Sequence, residues 1–137
     1  MLYPKESVLF MTKEECKSIV DRVYPKIKEY YGRSKFNSNY PKVDYHYNIY
    51  TRITGELNPE VEVDPAADFE RDTNTIWVYY PVAVDEEWVI RTLLHEYQHY
   101  LQDGDEMREL YEQGHSYEDH PFEIEAINAE EEWVEFI

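Results

Sequence analysis

Residues 95–99 read His-Glu-Tyr-Gln-His, a run whose types and spacing could bind a metal ion and put it to use. On a helix, four residues turn through about 400°, so the two imidazoles stand on one face, one turn apart. From there both ring nitrogens can reach a single zinc ion at about 2.0–2.1 Å. Glu96 is rotated by about 100° from His95, too far round to bind the same ion but within reach of a water on it. Two ligands and a general base from one turn of helix are what metal-assisted hydrolysis requires. Glu96 is therefore the expected catalytic base, and His95 and His99 the expected metal ligands.

Two histidines leave a catalytic zinc one protein ligand short. The long histidine form of this motif would place its glycine and third histidine at positions 102 and 105, where the chain has Gln102 and Asp105. The favoured third ligand lies downstream, in His120-Pro121-Phe122-Glu123-Ile124-Glu125-Ala126. Glu123 falls in the first turn of a helix opened by Pro121, and Ala126, one turn on, is small enough to let two helices approach. Glu123, Ala126, Ile127 and Glu130 are expected to share a face. Glu125, Asp105 and His120 remain alternatives, and Glu130, Glu131, Glu132 and Glu135 read as surface charge. Asp103, Asp105 and Asn128 are candidates to orient the histidines.

The elements that must hold these residues can be read from capping and periodicity. Asp85 is a good N-cap, with Glu86 and Glu87 favourably placed behind it, for a helix running to about residue 103 and stopping at Gly104. On its back, Val89, Leu93, Tyr97, Tyr100 and Leu101 can pack into a core while Thr92, His95, Glu96 and His99 face a cleft. A short helix is expected over 105–113, ending at Gly114, and a last one from Pro121 to about 136. Upstream, Thr12 and Glu15 form a capping box for a helix over 12–31, with Gly32 at its end and Pro25 expected to kink or split it. Residues 43–53 alternate as a strand would, with Val43, Tyr45, Tyr47 and Ile49 on one face. Residues 55–73, rich in Gly, Pro, Asp and Glu, read as an irregular excursion, and residues 75–80 as the most strand-like run. The order is α+β: a small antiparallel or mixed sheet packed on an active-site helix, with N-terminal and C-terminal helices, in a single domain over 1–137.

The composition sets further bounds. The chain has 137 residues, 42% hydrophobic, with 14 tyrosines against 5 phenylalanines. A domain of this size can bury a core without disulfides or a structural metal. One cysteine, Cys16, excludes a disulfide framework and a thiolate zinc knuckle, and reads as a buried apolar residue. The formal charge of -17 argues against binding nucleic acid through its phosphates. No secretory leader or membrane-length apolar run is evident, so a cytoplasmic monomer is the expectation. A rival reading of the charge is an acidic interaction protein that imitates nucleic acid, with the histidine motif accidental.

On His95-Glu96-x-x-His99, on Glu123-x-x-Ala126 and on the strand before them, the sequence resembles the gluzincin branch of the zincin metallopeptidases, in particular its very small single-domain members from phages and bacteria. The resemblance covers roughly residues 75–130. It implies a zincin-like fold, one Zn2+ per chain and a peptide or protein substrate. It also implies that the strand from Thr75 to Tyr80, with Trp77 and Tyr79, borders the cleft as an edge that binds an extended substrate. Tyr117 and His115 are candidates to stabilise the oxyanion of the transition state. Self-inhibition by residues 1–10 or 55–73 lying in the cleft is a further expectation.

Overall fold

The computed structural model describes residues 11–56 and 65–137. In chain order the elements are α1 (Lys13–Tyr31), β1 (Lys42–His46), α2 (Ile49–Thr54), β2 (Ala67–Glu70), β3 (Thr75–Tyr79), α3 (Glu86–Leu101), α4 (Gly104–Glu112) and α5 (Pro121–Ala129), closed by a 3-10 helix, Glu130–Phe136. The expected α+β class holds. Among the described residues no helix is long and apolar enough to cross a membrane.

α1 opens on the expected capping box: the Thr12 hydroxyl accepts from Glu15 N, and the Glu15 carboxylate accepts from Thr12 N. It closes at Gly32, whose φ of 74° suits glycine. Pro25 does not split it. Cys16, Val20, Val23 and Ile27 are buried against α3, and burial pushes the Cys16 thiol up to about 12, which leaves it inert.

The strand expected over 43–53 ends at His46. Asn48 accepts a 2.7 Å hydrogen bond from Thr51 N and caps α2, which takes Ile49 to Thr54 out of the sheet. Gly55, at φ 76°, ends that helix. The excursion expected over 55–73 contains β2, while residues 57–64, like 1–10, lie outside the described residues, and the self-inhibition expectation lies with them in large part.

The sheet order is β1-β3-β2, with β1 parallel and β2 antiparallel to β3. β3 is therefore the central strand, not an edge. The expectation that Trp77 and Tyr79 form a substrate-binding edge is corrected: β3 is paired on both sides, and Tyr79 is fully buried, its hydroxyl accepting from Arg52 Nε at 2.8 Å. The edge beside α3 is β2. Its sequence, Ala-Asp-Phe-Glu, is too short and too polar to signal a strand on its own.

α3 starts as expected, with the Asp85 side chain accepting from Trp88 N. Its back, Val89, Ile90, Leu93, Leu94, Tyr97 and Tyr100, is buried against α1 and the sheet. At about 25 cal/mol per Å² such burial is the main force fixing the helix, and it holds the opposite face rigid. Gly104 does not stop α3; it opens α4, for which Asp103 is the cap. The last helix is shorter than expected, passing into the 3-10 turns at Glu130.

Candidate metal centre

His95 and His99 project from the middle and last turn of α3, and Glu123 from the first turn of α5. Ala126 is fully buried and permits the close crossing of the two helices. Ile127, expected on the same face as Glu123, is instead exposed, and Ala129 takes the inward place. One ligand atom from each of His95, His99 and Glu123 lies within 4.8 Å of the others, and all three side chains are buried. Glu123 Oε1 stands 3.0 Å from His99 Nε2 and 3.5 Å from His95 Nε2.

The protons on these rings follow from their outer partners. His95 Nδ1 lies 2.7 Å from Glu130 Oε2, and a carboxylate only accepts, so Nδ1 carries the hydrogen. Gln102 donates its amide nitrogen to Phe122 O and Glu125 Oε1, so its Oε1 accepts from His99 Nδ1 at 2.8 Å. Both neutral rings then turn an Nε2 lone pair inward. Among the described residues Glu123 Oε1 is buried and faces no donor other than the two histidine rings, while Oε2 accepts from Tyr111 at 2.9 Å. Three electron-rich atoms converge in a buried place, where a positive species would be stabilised by all of them. The donor set, two imidazoles and a carboxylate, suits zinc.

A proton can occupy the same place. Burial works against a charged His95, but the Glu123 and Glu130 carboxylates outweigh it and hold its pKa up at about 10. For Glu123, burial pushes the carboxyl up, yet His95 and His99 prevail and keep it well below the usual range. Glu96 is different. It too is buried, and burial raises its pKa to about 7 against the opposing pull of both histidines. A carboxyl poised near neutrality beside this cluster suits a general base.

The cleft has two lobes that share His95, Glu96, Tyr117, Ala67 and Pro65. The smaller, about 280 Å³, extends past His99 to Phe69, Arg71 and Met107. The larger, about 630 Å³, extends past Thr92 to Val82, Val84 and Trp88 and is mostly apolar. Val84, 46% exposed, holds a φ of 44°, a costly conformation for a β-branched residue, at the rim of this lobe. β2 forms the wall. Tyr79 N donates to Ala66 O at 2.9 Å, so the backbones of Ala66 and Asp68 face β3, and those of Ala67 and Phe69 turn towards the cleft.

Of the other sequence candidates, Tyr117 lines both lobes. His115 lines neither; it lies 3.4 Å from Asp119, and the expectation that it stabilises an oxyanion is corrected. His120 is fully buried as the cap of α5 and bonds Met107 O through Nε2, so no ring nitrogen is free for a metal. Asp105 is exposed beside Arg108, and Glu125 is exposed and bonded to Gln102. Asp103 is spent on capping α4, and Asn128 is exposed. The residues that hold His95, His99 and Glu123 in place are Glu130, Gln102 and Tyr111. Gln102, one turn after His99, was within reach of a spacing argument. Glu130, read as surface charge, meets His95 only through the crossing of α3 and the chain after α5.

No protein-family model, curated protein or solved structure matches this chain.

Proposed function

We propose that this protein is a metal-dependent hydrolase whose resident ion is zinc. The bond it cleaves, on this reading, is the peptide bond, as in the gluzincin-type zincins it resembles. What carries the reading is the buried convergence of His95, His99 and Glu123 beside a buried Glu96 whose pKa lies near neutrality. His95, His99 and Glu123 would hold the ion, which would supply Lewis-acid polarisation of a carbonyl and an acidified water.

The chain's own groups do the rest. Glu96 accepts the proton of the attacking water and returns it to the leaving nitrogen. Ala67 and Phe69 offer backbone groups to an extended substrate, a mode that binds peptide irrespective of its sequence. Tyr117 offers a hydroxyl to the oxyanion; burial, with Glu123, Glu96 and Glu130, raises its pKa, so it remains a donor at neutral pH.

The test is zinc content by mass spectrometry together with hydrolysis of unfolded casein. About one zinc per chain and cleavage that stops on chelation are expected. Failure to take up zinc would overturn the whole reading; zinc without cleavage would overturn the peptidase part. A narrower prediction concerns Glu130. Glu130→Gln keeps the shape but loses the charge that fixes the His95 tautomer, and should weaken zinc binding by about 10- to 100-fold in a chelator competition. Unchanged affinity would mean that Glu130 does not orient the ligand.

A further inference from the structure

Arg71, the residue that follows β2, is the one arginine or lysine among the described residues lining the two lobes. Its side chain runs beneath the end of α3, where Nη2 donates to His99 O at 2.9 Å and Nη1 to Gln102 O at 3.3 Å. The guanidinium also stacks over Phe69, 5.2 Å from the ring centre. Gly104 makes room for it: a Cβ there would stand 2.4 Å from Arg71 Nε. The group is thus held from three sides. A guanidinium has five N–H donors in a fixed fork, and the two carbonyls engage two of them. The remaining donors belong to an exposed side chain that lines the smaller lobe. The other charged lining of that lobe is the carboxyl groups of Asp68, Glu96 and Glu123, beside the two histidines. Asp68 is itself taken up by Arg52 at 2.9 Å.

We propose that Arg71 is a specificity-determining residue that binds a substrate carboxylate at the far end of the smaller lobe. This rests on the peptidase reading and refines it to a substrate class. The carboxylate is either the C-terminus of the substrate or an Asp or Glu side chain. Its distance from the scissile bond follows from the framework. β2 runs alongside α3, with Phe69 against Tyr100 and Arg71 against His99 and Gln102. From Glu96 to Gln102 the helix rises about 9 Å. An extended peptide at about 3.3 Å per residue spans that in roughly three residues. The chemistry is also selective by exclusion: in a chain of charge -17, an acidic substrate has little to hold it except a placed cation.

The experiment uses zinc-loaded protein carrying Glu96→Gln, so that binding is read without turnover. The probes are fluorescein-labelled alanine-based octapeptides. One series scans a single Asp, or its neutral counterpart Asn, along the chain. A second compares a free C-terminus with its amide. Binding is followed by anisotropy, and cleavage of the same peptides by the native chain is followed in parallel.

A carboxylate at one favoured position, about three residues from the cleavage point, is expected to tighten binding by about tenfold or more over the neutral peptide. Which series shows the preference identifies the source of the carboxylate. The preference should vanish in Arg71→Met, which keeps the stem over Phe69. It should fall in Gly104→Ala, which displaces the guanidinium without removing its charge. A purely structural Arg71 would weaken acidic and neutral peptides alike. Equal binding in both series, Asp against Asn and free C-terminus against amide, or a preference that survives in Arg71→Met, overturns the proposal. Neither peptide comparison needs a substitution at Arg71, so both stand even where a variant fails to fold. Should the native chain cleave neither these peptides nor casein, the peptidase reading falls, while the acid-to-amide ratio still decides what Arg71 binds.

Discussion

Glu96→Gln is expected to abolish hydrolysis while making the metal-free protein more stable at neutral and alkaline pH. The loss of activity follows from removing a general base, whose contribution is typically about 10²- to 10⁴-fold. Zinc content should be unchanged, because Glu96 lies outside the converging group of His95, His99 and Glu123. The gain in stability follows from burial. The Glu96 pKa is raised from 4.5 to about 7 by folding, so the folded state resists its ionisation. An acid whose folded pKa is raised takes stability away as pH climbs from its unfolded value through its folded one. Here the loss begins near 4.5 and is complete just above 7. A shift of that size corresponds to about 3 kcal/mol, at 1.36 kcal/mol per unit. Glutamine is never ionised and escapes the cost. Thermal melts of metal-free native and Glu96→Gln protein should coincide near pH 4 and separate in favour of the variant by pH 8, by several degrees. A variant that melts lower at pH 8 would mean that Glu96 is stabilised as a carboxylate and is not poised as a base. Such a gain would also account for the residue in functional terms: Glu96 weakens the fold and has a use only where water is to be deprotonated.

How much of this centre could be read beforehand divides along the line between local and tertiary information. α3 was legible because its signals are local: Asp85 as cap, apolar residues at helical spacing, and His95, Glu96 and His99 within one turn. Glu123 was legible because Pro121 fixes where α5 begins and Ala126 marks the crossing side. The 43–53 strand was overextended because its alternation of apolar residues continues past His46, while the Asn48 side chain wins the backbone for a helix. β2 was invisible. Four residues, half of them acidic, become a strand only because β3 offers a ladder and α3 a surface for Phe69. That omission led to the assignment of Trp77 and Tyr79 to an edge that belongs to Ala67 and Phe69. The partners of the histidines failed for the same reason. Glu130 is one of a run of three glutamates in sequence, and only the fold sets it 2.7 Å from His95 while Glu131 pairs with Arg91 at the surface.

Zinc binding should be lost in His95→Ala, His99→Ala and Glu123→Ala and kept in Asp105→Asn and Glu125→Gln. The first three each remove one of the converging atoms, and two ligands make a poor zinc site. Asp105 and Glu125 compete with Glu123 only in sequence; both are exposed and turned to other partners. Thermal shift reads the difference directly. A ligand at a thousand times its dissociation constant stabilises the folded state by about 4 kcal/mol, so native protein and the two surface variants should melt well higher with zinc, and the three site variants should not. Loss of the zinc response in Asp105→Asn with retention in Glu123→Ala would reverse the ligand assignment. The binding should also displace a proton. His95 is held protonated to about 10 in the metal-free protein, and its proton occupies the nitrogen the metal must take. At pH 8 in weak buffer, zinc loading of the native chain should therefore acidify the solution, and zinc affinity should rise with pH until His95 loses its proton unaided. Glu130 and Glu123 thus act twice: they keep the pocket charged and folded without the metal, and they set the proton that the metal has to expel.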